Sequence, residues 1–184
     1  MAIREIITLP HPTLRRKARK VSDYGEDLQT LIDDMIETMR VAPGVGLAAP
    51  QVDVSLRVIV VEYGEDEDES VPPKLYAVVN PEITRFSKDA EVGTEGCLSI
   101  PEIAGDVERP LAVTIKGFNR HGQPLKIKAR GWLARIFQHE VDHLDGVLFV
   151  DKAERVWKIE GEPASQVGRG ESLAPSGRKV QSGS

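Results

Sequence analysis

Gln138-His139-Glu140-Val141-Asp142-His143 places two histidines four residues apart, with a glutamate directly after the first. On a helix this spacing offsets the two imidazoles by about 40° and stacks them about 6 Å apart along the axis. Two ring nitrogens can then converge on one divalent metal. Glu140 follows His139 too closely to serve as a third ligand, yet it can reach a metal-bound water and take its proton. Residues 132–145 have the pattern of such a helix, with Gly131 before it and Gly146 as its stop. At about 100° per residue, Leu133, Ile136, Phe137, Val141 and Leu144 fall on one broad arc, and the two histidines lie at its edge. Ala134, Arg135, Gln138, Asp142 and Asp145 face the other way. Glu140 falls inside the apolar arc, where a carboxylate is costly unless it has a partner. A pair of core histidines would need no such glutamate; a metal-bound water would be its partner.

Composition narrows the class of protein. The 184 residues suffice for one domain with a sizeable core. A hydrophobic content of 40% and a charged content of 29% are ordinary for a soluble globular chain. A net charge of −5 gives no electrostatic footprint for nucleic acid, so none is expected as a partner. No apolar run approaches the roughly 20 residues of a membrane span. Met1-Ala2-Ile3-Arg4-Glu5 turns acidic early and lacks the apolar stretch of a secretory signal, which points to the cytoplasm. The one cysteine, Cys97, rules out an internal disulfide and fits a reducing compartment. Taken by itself, such a cysteine reads as a small buried hydrophobe.

Working outward, the N-terminal stretch Thr8-Leu9-Pro10-His11-Pro12 reads as an extended entry with a turn, followed by a short basic helix over residues 13–20. Residues 26–40 carry Leu28, Leu31, Ile32, Met35, Ile36 and Met39 at helical spacing, and Pro43-Gly44 ends that helix. The stretch Gly44-Val45-Gly46-Leu47-Ala48-Ala49-Pro50-Gln51 lacks the Gly-Lys-Ser/Thr of a phosphate loop, and no strand precedes it. It is either a tight connection in which glycine supplies a positive φ, or a loop whose backbone comes close to a ligand. Residues 56–62 and 75–79 read as strands, the second broken by Asn80-Pro81. Between them, residues 64–70 form an acidic, solvated loop. Residues 111–118 and 125–129 form a hairpin around a turn that carries His121. Residues 147–150 read as a short closing strand or extended segment. Beyond residue 158 the chain turns rich in Gly, Ser, Pro and charge. The expectation is one catalytic domain over residues 1–158 and a disordered tail over 159–184.

The third metal ligand decides between enzyme classes. In the extended protease pattern a third histidine would fall at position 149, which is Phe149. No histidine follows His143, and the downstream glutamates Glu160, Glu162 and Glu171 lie in or beside the low-complexity tail. Upstream, His11 sits between prolines and His121 at a turn tip, which leaves Cys97 as the available soft ligand. A thiolate and two imidazoles make a sound three-ligand set that leaves a position for water. The competing reading is a zinc-dependent endopeptidase of the same His-Glu-x-x-His type with a downstream carboxylate.

Three stretches together resemble the peptide deformylase family: residues 44–51 above, Glu95-Gly96-Cys97-Leu98-Ser99, and Gln138-His139-Glu140-Val141-Asp142-His143-Leu144. They occur in the family's order and approximate spacing, and the resemblance covers about residues 3–152. It implies an α+β fold, a single domain in which antiparallel strands surround a central metal-binding helix. It also implies the reaction, hydrolytic removal of the formyl group from the N-terminal formyl-methionine of nascent peptides, with release of formate.

By the same resemblance, Cys97, His139 and His143 bind the metal and Glu140 is the general base. The Gln51 side-chain amide and the Leu98 backbone N–H stabilise the developing oxyanion. Gly46 is expected to let the backbone approach the substrate, Val45 and Ile136 are candidate walls of the methionine pocket, and Arg135, one residue from that wall, is expected to pack its stem there with its charge in water. Glu95 is expected behind the ligands, with Arg109 as its partner because that arginine lies in the segment returning from the cysteine loop. The implied metal is Fe2+, with Zn2+, Ni2+ or Co2+ able to substitute. Ala104 stands where many relatives carry a larger, often basic residue flanking the cleft. Some relatives end in a basic helix that docks on the ribosome. Residues 151–158 allow at most two helical turns here, which puts the ribosome in doubt as a partner. Formyl-methionine initiation implies a bacterial or organellar source, and the N-terminus favours bacterial cytoplasm.

Overall fold

The computed structural model describes residues 1–64 and 70–159. Most of the acidic run and nearly all of the expected tail therefore lie outside the described residues. Short 3-10 turns occupy Pro12–Arg15 and Ala49–Val52. The regular elements in chain order are α1 (Glu26–Val41), β1 (Gly46–Ala48), β2 (Val58–Tyr63), β3 (Lys74–Phe86), β4 (Ala90–Cys97), β5 (Ile100–Pro110), β6 (Ala112–Phe118), β7 (Pro124–Arg130), α2 (Gly131–Leu144), α3 (Phe149–Lys152) and β8 (Arg155–Lys158). Two antiparallel sheets form, ordered β1-β2-β3-β6-β7 and β4-β5-β8. The fold is α+β, with α2 packed against strands of both sheets, as the resemblance implied.

The run Val58-Ile59-Val60-Val61 in β2 shows how the sequence writes this arrangement. Val58 and Val60 join the apolar stripe of α1, while Ile59 and Val61 join Leu133, Ile136, Phe137 and Val141 of α2. A strand covered on both faces needs no polar alternation, so four consecutive residues are apolar and fully buried. Each contributes on the order of 1.5–3 kcal/mol by burial. All six residues of the α1 stripe are buried, as their spacing required.

The polar side of α2 differs from expectation. Ala134, Arg135 and Gln138 are buried together with the apolar arc. The cause is the second sheet: β4 and β5 cover the side of the helix that a single sheet would leave in water, and Arg135 and Gln138 bond to carbonyls there.

Other departures have local causes. The expected basic helix over residues 13–20 is only the turn Pro12–Arg15, because the following backbone bonds elsewhere: the Ala18 N–H donates to the Leu144 carbonyl and the Arg19 N–H to that of Ser55. Strand β3 passes through Asn80-Pro81, where the sequence suggested a break. Its register with β6 shifts between Val79 and Glu82, and such a bulge tolerates a proline that cannot donate to the ladder. The hairpin formed by β6 and β7 is as expected, with Ile115 opposite Ile127. After α2, Gly146 adopts φ +72°, and a Cβ there would lie 2.5 Å from the Arg15 carbonyl oxygen, so glycine is required. Residues 149–152 are then helical, where an extended segment was expected, and residues 155–158 pair with β5 as a strand. Ala104 is fully buried on the central strand of that sheet, between Gly96 and Trp157.

The N-terminal segment ties the three motif-bearing stretches together. Ile7 N–H donates to the Gln51 carbonyl at 2.8 Å and Leu9 N–H to that of Ser99 at 3.0 Å, while Ala18 reaches Leu144 at 2.8 Å.

Candidate metal centre

Helix α2 presents His139 and His143 one turn apart, their ring centroids separated by 5.1 Å. Cys97 is the last residue of β4. The ladder with β5 shifts register between Gly96 and Cys97, so that Cys97 pairs with Ile100 across a two-residue turn. Such a shift re-aims a side chain, and here it aims the thiol at the helix. Cys97 Sγ lies 3.4 Å from His143 Nε2. One ligand atom from each of Cys97, His139 and His143 falls within 4.8 Å of the others, and all three residues are buried. This is a candidate metal site built from the three residues singled out by spacing and elimination.

The unpartnered atoms around it test the fit. His139 Nε2, His143 Nδ1 and both Glu140 carboxylate oxygens are buried with no hydrogen-bond partner among the described residues. Buried polar atoms are otherwise almost always bonded. A divalent ion suits this donor set, because a thiolate and two neutral imidazoles are all good ligands for Zn2+ or Fe2+.

Electrostatics point the same way. Burial, and after it the neighbouring His139, hold His143 well below its usual value, so it stays neutral and able to ligate. Burial raises Glu140 well above the carboxylate range, and the charge on Glu95 adds to this. Burial also pushes the Cys97 thiol up to about 12, against hydrogen bonds from the Ser99 and Ile100 backbone that lower it. A bound cation would favour the charged forms of both.

Glu95 is the opposite case. Burial alone would raise it, but hydrogen bonds from Arg109 and His139 outweigh that and hold it far below the usual range. Arg109 Nε donates to Glu95 Oε2 at 2.6 Å and its Nη2 to Oε1 at 2.9 Å, so the expected pairing is present. Arg109 Nη1 continues to Asp142 at 2.9 Å.

Gln51 is fully buried in its 3-10 turn. Its Oε1 accepts from the Ala48 N–H at 3.0 Å, which fixes the amide so that Nε2 faces Cys97 Sγ at 3.6 Å and Ser99 Oγ at 3.2 Å. Leu98 lies in the turn beside them, half-buried. Gly46 stands against Glu140: a Cβ there would lie 2.9 Å from Glu140 Cγ and Oε1. Sequence reasoning assigned this glycine to the substrate side only; the structure gives it the task of seating the glutamate as well. Val45 is half-buried and Ile136 fully buried, both in the cluster around α2.

Arg135 departs from expectation. Its guanidinium is buried, donating to Glu95 Oε2 at 2.7 Å and to the Val107 and Glu91 carbonyls at 2.8 Å each. It is a partner of Glu95, with its charge out of water. Two further contributors escaped the sequence reading. Phe149, noted there only for not being histidine, stacks on the His139 ring at 6.1 Å and 20°. Ser99 accepts from Gln51, and its place two residues after the cysteine was the available signal.

The family model for polypeptide deformylase matches residues 3–158. The chain belongs to this family. The peptide deformylase of Natranaerobius thermophilus is 48% identical over 160 residues, covering 87% of this chain and 98% of that one. Among solved structures, the peptide deformylase of Thermotoga maritima is 40% identical with a TM-score of 0.78, covering 84% of this chain and 100% of that one. The Acinetobacter baumannii peptide deformylase with Met-Ala-Ser bound is 38% identical with a TM-score of 0.75, covering 82% and 98%. This is a hydrolase of the deformylase family, which removes the N-terminal formyl group of newly made polypeptides. The endopeptidase alternative has no support: the relatives are deformylases, and the third candidate ligand is Cys97. Among the described residues no helix is long and apolar enough to cross a membrane.

Proposed function

We propose that this chain hydrolyses the formyl amide of formyl-methionyl peptides with Cys97, His139 and His143 as metal ligands and Glu140 as the catalytic acid–base. The observation that carries this is the meeting of three ligand atoms within 4.8 Å beside an enclosed carboxyl that has no hydrogen-bond partner among the described residues. A divalent ion bound there supplies Lewis acidity and a water of lowered pKa. Glu140 accepts the proton of the attacking water and delivers it to the departing amine nitrogen. Its burial suits this task, since a carboxyl raised from its ordinary value releases a proton less readily and transfers it nearer to neutral pH.

The Gln51 amide and the Leu98 backbone N–H donate to the developing oxyanion, each worth about 10²–10³ in rate. The geometry that supports Gln51 is its clamped carbonyl oxygen, which leaves the amide N–H group turned toward Cys97. Val45 and Ile136 form part of the methionine pocket, with Gly46 as the backbone edge along which substrate lies. The Met-Ala-Ser complex of the Acinetobacter baumannii relative supports a peptide with N-terminal methionine as the ligand class.

Fe2+ is the proposed metal in the cell, with Zn2+, Ni2+ or Co2+ as substitutes. The proposed location is bacterial cytoplasm, the proposed catalytic unit is residues 1–158, and nascent chains are the substrate. Docking on the ribosome through a C-terminal helix has no support among the described residues, since helix α3 ends at Lys152 and β8 follows.

Anaerobic assay of the Fe2+-loaded protein on a formyl-methionyl peptide tests the proposal. Formate release is expected, together with its loss in Glu140→Ala. A ferrous protein that releases none would sink it.

A further inference from the structure

We propose that Arg135 is a positioning residue for the metal centre: its guanidinium holds the cysteine-bearing hairpin β4–β5 against the histidine-bearing helix α2. This rests on the ligand set proposed above. The two histidines are placed by one helix, so their mutual geometry is local. Cys97 arrives on a different element, and its distance from the histidines depends on how the hairpin seats on the helix.

Arg135 lies one turn before His139 on α2, on the side facing the hairpin. It bonds to Glu95 and the Glu91 carbonyl of β4 and to the Val107 carbonyl of β5, so one side chain grips both strands. Glu95 is two residues from Cys97, and both side chains meet α2, Glu95 at His139 and Cys97 at His143. Trp132, one helical turn before Arg135, has its ring centroid 5.4 Å from the guanidinium and closes it in.

Gly93 shows that the strand is shaped for this arginine. It lies between Glu91 and Glu95, and a Cβ there would sit 2.7 Å from Arg135 Cζ and 2.9 Å from Nε. A free arginine end could swing away from such a methyl, but this one is held by hydrogen bonds to three residues. Alanine at 93 would therefore force the guanidinium off Glu95 or push β4 off the helix. Arg109 makes a separate tie, from β5 to Asp142. A lysine at 135 would lack the planar fork that reaches three acceptors at once.

The test uses the nickel-loaded protein as Arg135→Met, Gly93→Ala, the double variant and Arg135→Lys. Nickel release to excess chelator is followed beside the absorption spectrum of the cobalt-loaded proteins. Each of the first two variants is expected to release nickel about tenfold faster or more, the range seen when a residue behind a metal ligand is lost. Their thiolate-to-cobalt band is expected to shift, since its position reports the Cys97 geometry. The double variant should release at the rate of Arg135→Met alone, because the added methyl then has no guanidinium to displace. Arg135→Lys should fail to restore the wild-type rate.

Release within twofold of wild type in a folded Arg135→Met protein overturns the proposal, as do effects of the two substitutions that multiply. Should Arg135→Met not fold, Gly93→Ala decides: fast release supports the proposal and wild-type release overturns it. A wild-type cobalt protein with no thiolate band would overturn the ligand set itself, and the proposal with it. A normal wild-type band with unaffected variants would overturn only the role of Arg135.

Discussion

His139 Nδ1 and Glu95 Oε1 stand 2.8 Å apart with both side chains enclosed. Glu95 is held ionised by its arginine and histidine donors, so it can only accept here. His139 therefore carries its proton on Nδ1 and turns the Nε2 lone pair toward Cys97 and His143. One carboxylate, served by Arg109, Arg135 and His139, selects the tautomer needed for metal binding.

Removing that carboxylate leaves the buried Arg135 guanidinium without its acidic partner and Arg109 with Asp142 alone. Glu95→Ala is expected to lose about 3–5 kcal/mol of stability, measured by denaturant unfolding of the metal-free protein. The wild type should also show acid sensitivity from this group. Its folded-state value is depressed, so its stabilisation is complete above the ordinary glutamate value of 4.5 and falls away as pH drops below it. A Glu95→Gln protein should show a flatter dependence of stability on pH below 4.5. Equal acid slopes in the two proteins would refute this.

Metal loading should release protons. The Cys97 thiol, pushed up to about 12 by burial, is protonated in the metal-free protein at neutral pH. Thiolate ligation then expels at least one proton per ion, and apparent affinity should rise about tenfold per pH unit between about pH 6 and 8. Calorimetric titration with Zn2+ in two buffers of different ionisation enthalpy counts those protons. A count of zero would exclude Cys97 as a thiolate ligand. Cys97→Ala should fail to retain metal through gel filtration.

Gly46→Ala places a methyl 2.9 Å from the Glu140 side chain. Glu140 is fully buried, and the shift is expected to reach its proton-transfer geometry. A misplacement of this kind costs about 10²-fold. Steady-state kinetics should show kcat reduced by that order while metal content stays at the wild-type level. A variant that loses metal and keeps kcat per bound ion would contradict the assignment.

Glu140 sits at a cost to the fold. Both its oxygens are buried without a partner among the described residues. Such a group costs about 1–3 kcal/mol. Glu140→Leu should therefore raise the thermal midpoint of the metal-free protein by several degrees, at about 2–4 °C per kcal/mol. The same change should abolish deformylation, or reduce it by at least the 10²–10⁴-fold typical of a lost general acid–base. A lower midpoint for the leucine variant would show that the carboxyl is satisfied in a way the geometry does not reveal.

The chemistry of this protein was legible in its sequence because it depends on local spacing and on donor type. Histidines four apart on a helix must share a face, and only one soft donor was available to join them. The stripe of α1 and the apolar run of β2 follow the same local logic, as does the hairpin of β6 and β7. What tertiary structure alone decided is which distant groups meet. Glu95 and His139 are 44 residues apart, and no periodicity relates them. Arg135 looked solvent-facing because a helix packed on one sheet has a wet side; the second sheet removes that side and turns the arginine inward onto Glu95. Phe149 became a lid on His139, and Gly46 a seat for Glu140, for the same reason. Helical geometry and ligand preference act within a few residues, whereas the packing that assembles the candidate metal centre is settled only when both sheets close on α2.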